Sequence, residues 1–143
     1  MNITDANHLI IKALKSKNNI LRIEAQIALV RLDKENPYSF LDHLEIPFSL
    51  WEQMNIHEVM VYHKLNVPKF EQWIDSDNKS IAIFALKMIR VFKQHESDKK
   101  VIDKLGHQDE DIRLAAIETL GILKSENSLY PMKERFKEES YDN

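Results

Sequence analysis

Three stretches of this chain repeat one spacing of one kind of residue: a branched aliphatic residue, a small residue four positions on, and a second aliphatic residue four positions beyond that. Ile112, Ala116 and Leu120 set the pattern; Ile81, Ala85 and Ile89 repeat it 31 positions earlier, and Leu21, Ala25 and Leu29 repeat it 91 positions earlier. Residues at i, i+4 and i+8 share one helical face, and the small middle residue lets a neighbouring helix come close. A chain that repeats such a helix buries its apolar faces by stacking each repeat on the next, which excludes a sheet-based fold for these stretches. The copies are unequal. Arg113 recurs as Arg22 but is replaced by Ala82 in the middle copy, and the polar residue before each helix is Asn18, Asn78 and Asp109.

The acidic turn, Ile-Arg, two residues, Ala, three residues and Leu-Gly of Asp109 to Gly121 resemble the second helix of a HEAT repeat. The resemblance implies antiparallel helix pairs stacked into a right-handed α-α superhelix, an all-α HEAT-like solenoid whose signature helices line the concave side. It also implies that Arg22 and Arg113 bind acidic residues of neighbouring turns, and that Ala25, Ala85, Ala116 and Leu120 are packing positions. An offset of 31 is shorter than the ~40 to 47 residues of the long form, so the nearer resemblance is to the compact HEAT-like repeats frequent in bacteria.

Taken in order, the chain reads as about nine helices in four antiparallel pairs plus a closing helix, within one domain over 1–143 that is either complete or a segment of a longer protein. Thr4 or Asp5 caps a first helix to Lys15, with Leu9, Ile10, Ala13 and Leu14 as its apolar face. Ile20 to Leu32 is the second. Asn36-Pro37 opens a short helix with Phe40, Leu41 and Leu44 inward, and Ser49 to Glu52 is a capping box for a long, degenerate helix to about Lys64. Lys69 to Ile74 buries Phe70, Trp73 and Ile74, the second signature helix runs to about Lys93, and Ser97 or Asp98 caps a helix stopped by Gly106. The closing helix carries Leu129, Met132 and Phe136.

Charge and composition narrow the function. With 20 basic against 23 acidic residues and a net charge of −3, the chain is poorly suited to a nucleic-acid surface. It has no cysteine, hence no thiol catalysis and no disulfide. No apolar stretch approaches the ~20 residues that cross a bilayer, which predicts a cytoplasmic segment without membrane contact of its own, although a parent protein could be membrane-tethered. His57-Glu58 and His95-Glu96 resemble the dyads by which deoxyhypusine hydroxylases hold iron, but Leu114-Ala115 and Ile83-Phe84 stand at the equivalent signature positions. His57 and His63 also miss the zinc-protease spacing, because Val61 stands where the second ligand belongs. Trp51 and Trp73, which could stack on DNA as in HEAT-like glycosylases, read instead as core at their helical spacing.

These residues predict a non-catalytic protein-interaction or scaffolding module that binds a protein or peptide and needs no cofactor or metal. The alternatives are a HEAT-like enzyme of the dyad-metal or glycosylase type, or a spacer in a larger protein. Setting Ala116 inward and turning the helix by about 100° per residue brings Asp111, Leu114 and Glu118 to the outer side. The same rotation brings out Ile83, Lys87 and Arg90 in the middle copy and Ile23 and Ile27 in the first. These eight are the candidate partner-binding residues.

Overall fold

A computed structural model describes residues 3–64 and 66–123. All regular structure among them is helical: α1 (Ile3–Ala13), α2 (Asn19–Leu32), α3 (Leu50–His63), α4 (Lys79–Val91), α5 (Asp98–Asp103) and α6 (Glu110–Leu123). Short 3-10 helices lie at Ser39–His43, Phe70–Trp73, His95–Ser97 and Lys104–Gly106. The chain divides into two compact units, Met1–Pro68 and Lys69–Asn143. The expected closing helix with Leu129, Met132 and Phe136 lies outside the described residues.

The helix count differs from expectation in kind. Two of the expected helices, after Asn36-Pro37 and after Pro68, are single 3-10 turns. Their apolar residues go where the pattern puts them, with Phe40, Leu41, Phe70 and Trp73 buried. Four or five residues suffice to place two large side chains inward, and a 3-10 turn does so at 3.0 residues per turn without the cost of nucleating a longer helix. α1 already runs from Ile3, ahead of the expected cap, and its Leu9 is half exposed while Leu14, just past the helix, is fully buried.

In the first unit α2 packs on α1, on the Ser39–His43 turn and on α3. Because it is flanked on several sides, its buried arc is wider than the i, i+4, i+8 edge and takes in Arg22, Ile23, Ala25, Gln26, Leu29 and Val30. Leu21 is left half exposed at the first turn. Tyr38, Phe40 and Phe48 fill the space between the helices. Burial pushes the Tyr38 hydroxyl's pKa well above its ordinary value, and that hydroxyl meets the Met60 sulfur.

The second unit is built around α4, which packs on α6 and on the Phe70–Trp73 turn. Ile81, Ala82, Phe84, Ala85, Leu86 and Ile89 are all buried. Ala116 of α6 and Ala85 of α4 are fully buried, as the small-residue edge requires. Ala116→Leu is therefore expected to destabilise the protein by about 1 to 3 kcal/mol through overpacking, read as a lowered urea midpoint with an unchanged slope. A midpoint equal to wild type would take Ala116 out of the helix interface.

Gly106 does not act as the expected left-handed stop. No glycine has positive φ. The chain leaves α5 through the Lys104–Gly106 3-10 turn, and a Cβ at Gly106 would meet nothing within 4 Å. The left-handed positions are instead Lys64 and Lys93, each with φ of 50°. Lys64 caps α3 there by donating its N–H to Met60 and Val61 carbonyls.

Candidate interaction surface

Two hydrogen-bonding moves build the N-terminal end of each signature helix, and a third is added in the first and last of them. Asn18 Oδ1 accepts from the Ile20 and Leu21 amides, Asn78 Oδ1 from the Ser80 amide, and Asp109 Oδ1 from the Asp111 and Ile112 amides. Each satisfies amides that the first turn leaves unpaired. Two residues upstream, a side chain accepts from the cap residue's own N–H: Ser16 for Asn18, Ser76 for Asn78 and His107 Nδ1 for Asp109. The third move belongs to the arginine. Arg22 Nη1 donates to the Ser16 carbonyl and Arg113 Nη1 to the His107 carbonyl, in both cases six residues back.

These caps recur with the helix edges they precede, and a family model described as HEAT repeats matches residues 67–143, more than half of the chain. The chain belongs to the HEAT-repeat family. No curated protein and no solved structure matches it. HEAT repeats are generally protein-interaction or scaffold modules, and the family is typically non-enzymatic.

In this HEAT-repeat chain the arginine is hydrogen-bonded to the preceding turn in both copies that keep it. Arg22 is buried and pairs with the fully buried Glu52 of α3, while its Nη2 also donates to Asn19 Oδ1 at 2.8 Å. This is an ion pair between neighbouring repeats. The described hydrogen bonds of Arg113 go to the His107 and Gln108 carbonyls at 3.0 and 3.1 Å. Ala25, Ala85, Ala116 and Leu120 are all buried.

Ionic links between repeats of the second unit use lysines that sequence reasoning did not single out. Lys79, at the first turn of α4, bridges Asp109 at 2.9 Å and Asp111 at 2.7 Å, and Lys104 pairs with Asp75. The bonds to Asp111 and Asp109 raise the Lys79 pKa, and the bond to Lys79 lowers the Asp109 carboxyl below its ordinary value near 3.8. A lowered carboxylate stabilises the fold above its ordinary pKa and ceases to do so as pH falls through the lowered value; the raised lysine helps below about 10.5 and stops as pH rises through its own. The thermal midpoint of Lys79→Met should therefore lie below wild type at pH 7 and converge on it as pH falls through the lowered Asp109 pKa, and 1 M NaCl should also narrow the gap. A gap constant over pH would refute the assignment.

Of the eight residues expected on the outer face, Ile23 is not there. It is 4% exposed, because the wide buried arc of α2 takes it into the core. Ile27, Ile83, Lys87 and Arg90 are half-buried, whereas Asp111, Leu114 and Glu118 are exposed. Three of the four charged members are already engaged, Arg90 with Glu118 at 3.3 Å and Asp111 with Lys79. In the second unit Leu114, at 52% exposure, is the apolar member of this row left reachable.

The largest apolar exposure lies on α3, and sequence reasoning missed it. Glu52, Gln53, Ile56 and Met60 face inward, while Leu50, Trp51, Met54, Val61 and Tyr62 are exposed, with Trp51 at 50%, Met54 at 70% and Tyr62 at 80%. Trp51, expected in the core, is thus outside; Trp73 is buried. The cause is Glu52. Its carboxylate must turn inward to meet Arg22 and Gln26, which rotates its neighbour Trp51 about 100° away. The signal was present in the chain, since Glu52, Ile56 and Met60 occupy the i, i+4, i+8 edge that Ile, Ala and Leu fill elsewhere. Glu52 also closes the capping box, accepting from the Ser49 amide while Ser49 Oγ accepts from the Glu52 amide.

The two His-Glu dyads sit apart from any metal-holding arrangement: His57-Glu58 in mid-α3 and His95-Glu96 in a 3-10 turn. Among the described residues no three His, Asp or Glu side chains gather as a metal-holding group, and no helix is long and apolar enough to cross a membrane.

Proposed function

We propose that the chain is a non-catalytic protein-interaction module and that its principal contact surface is the exposed face of α3. The observation that supports this is the inverted character of that helix, with a carboxylate and a glutamine inward and tryptophan, tyrosine and methionine outward. Desolvating large apolar groups is favourable at about 25 cal/mol per Å², and several such residues exposed on one helix commonly mark a binding surface, here interrupted by the exposed Glu58 between Met54 and Tyr62. Trp, Tyr and Met are the residue types enriched in protein interfaces, where a few of them carry most of the binding energy. An acidic or helical peptide laid along α3 would cover them. In the second unit we assign a lesser contact to Leu114, with Ile83, Lys87, Arg90, Asp111 and Glu118 as half-buried or ion-paired surroundings; Ile27 of the first unit is half-buried on its own helix.

The test places a photo-crosslinking amino acid at Met54, the middle of the stripe, in wild type and in a Trp51→Ala, Tyr62→Ala double variant. A discrete adduct with one cellular protein is expected from wild type, and its apparent affinity should fall at least tenfold in the double variant, as hot-spot losses of about 2 kcal/mol or more imply. The variant's own stability should change by under about 0.5 kcal/mol per site, as for other exposed positions. Absence of any adduct at Met54, or an equal adduct from the double variant, would overturn the reading.

A further inference from the structure

Beyond the stripe, where α2 and α3 end, the first unit holds a cavity of about 330 Å³ lined by Arg31, Lys34, His63, Lys64 and Asn66. No acidic residue lines it. Among the described residues Arg31, Lys34 and Lys64 form no ion pair, which is also true of scattered lysines such as Lys17 and Lys87; what sets these three apart is that they line one cavity. In a chain with more acidic than basic residues, three cations drawn together without a carboxylate stand out. Cations favour helix C-termini, and two helices end here. Each end carries only about half a negative charge, so the two together offset roughly one of the three cations.

A cleft in the second unit provides the contrast. It measures about 610 Å³ and is also charged, but its Lys79 and Lys104 are neutralised by Asp109 and Asp75. The cavity in the first unit keeps its charge for something else. It is also continuous with the apolar stripe, because the Tyr62 ring meets the His63 ring edge-on with centroids 5.0 Å apart. Lys64 is held in position by its left-handed cap, and Asn66 Nδ2 reaches the Lys34 carbonyl at 3.5 Å.

We infer that this cavity is an anion anchor for the protein partner of α3, taking the carboxylates of an acidic segment that follows the partner's apolar residues. The inference rests on the assignment of α3 as the contact face. One arginine and two lysines lining a space large enough for one or two carboxylates suit charge-assisted hydrogen bonds, of which Arg31 can supply a bidentate pair. A polypeptide is favoured over a nucleic acid because the cavity is small, isolated on a net-acidic chain and bordered by apolar side chains rather than by a basic track.

The probe is the capped tripeptide acetyl-Glu-Glu-Glu-amide, titrated into the ¹⁵N-labelled full chain, with acetyl-Gln-Gln-Gln-amide and a short single-stranded DNA as the other arms. Saturable shifts confined to the amides of Arg31, Lys34, His63, Lys64 and Asn66 are expected with the glutamate peptide. Affinity should be at least tenfold weaker with the glutamine peptide and in an Arg31→Gln, Lys64→Gln variant. Equal response to both peptides, no response at these amides, or tighter binding of the DNA would overturn the inference. The Trp51→Ala, Tyr62→Ala variant should respond to the glutamate peptide as wild type does. A silent cavity alongside a Met54 adduct would sink the anchor and leave the α3 assignment standing, whereas a responsive cavity with no adduct would overturn the α3 assignment and, with it, the cavity's role as an anchor for a partner of α3.

Discussion

Glu52→Ala should lower the stability of the protein by about 3 to 5 kcal/mol, a large share of what holds any domain together. Glu52 is fully buried, pairs with Arg22, accepts from Gln26 Nε2 at 3.4 Å and closes the α3 capping box. Alanine removes all of these at once and leaves a guanidinium nearly out of water without its counter-charge. The pair itself need not be strongly favourable for this to hold, since the desolvation of two ions consumes much of their attraction. The double replacement Arg22→Leu, Glu52→Leu tests that distinction and should recover part of the loss, limited by the Ser16 carbonyl and Asn19 side chain that Arg22 now serves. Urea denaturation followed by far-UV circular dichroism reads both. A loss below 1 kcal/mol for Glu52→Ala would mean the carboxylate is not sequestered with Arg22.

Phe70→Ala should cost a comparable 3 to 5 kcal/mol, roughly the range for a buried phenylalanine cut back to alanine. Phe70 is fully buried in the second unit, edge-on to Phe84 with centroids 5.9 Å apart, stacked on Phe92 at 6.0 Å, and 5.7 Å from Trp73. Its own amide donates to Gln94 Oε1 at 3.1 Å, a bond buried with it. The 3-10 turn that carries Phe70 is only four residues long, so the ring and this side-chain acceptor hold it, not a ladder of helical hydrogen bonds. In a Trp51→Phe background the emission of Trp73 reports this unit alone, and its urea midpoint should fall sharply in Phe70→Ala. An unchanged midpoint would show that the aromatic cluster does not support the turn.

The helical class, the family and the packing edges follow from local residue pattern alone, for a physical reason that Ala85 and Ala116 illustrate. A small residue at the centre of an i, i+4, i+8 edge is a local statement about close approach, and it holds wherever the helix is put. The caps at Asn18, Asn78 and Asp109 were legible for the same reason, being hydrogen bonds within a few residues of chain. The Ser49 capping box was equally local. Their supports at Ser16, Ser76 and His107 follow the same spacing and would have been readable by aligning the copies two positions further back.

Which way α3 and α2 turn depends on contacts between distant parts of the chain. Both helices carry apolar residues nearly all round, so hydrophobic periodicity gives no single inward direction. The direction is set across 30 positions of sequence, where Arg22 requires Glu52 inside and thereby sends Trp51 outside, and where α1 and α3 together widen the buried arc of α2 until it takes in Ile23. Buried polar partners act the same way in the second unit, where Thr119 of α6 donates to the Leu86 carbonyl of α4 at 2.9 Å and Gln94 holds the Phe70 turn. A polar side chain is read from sequence as surface until the distant group that satisfies it is known. The cost of burying it unpaired, about 1 to 3 kcal/mol, is what lets that distant group choose the face.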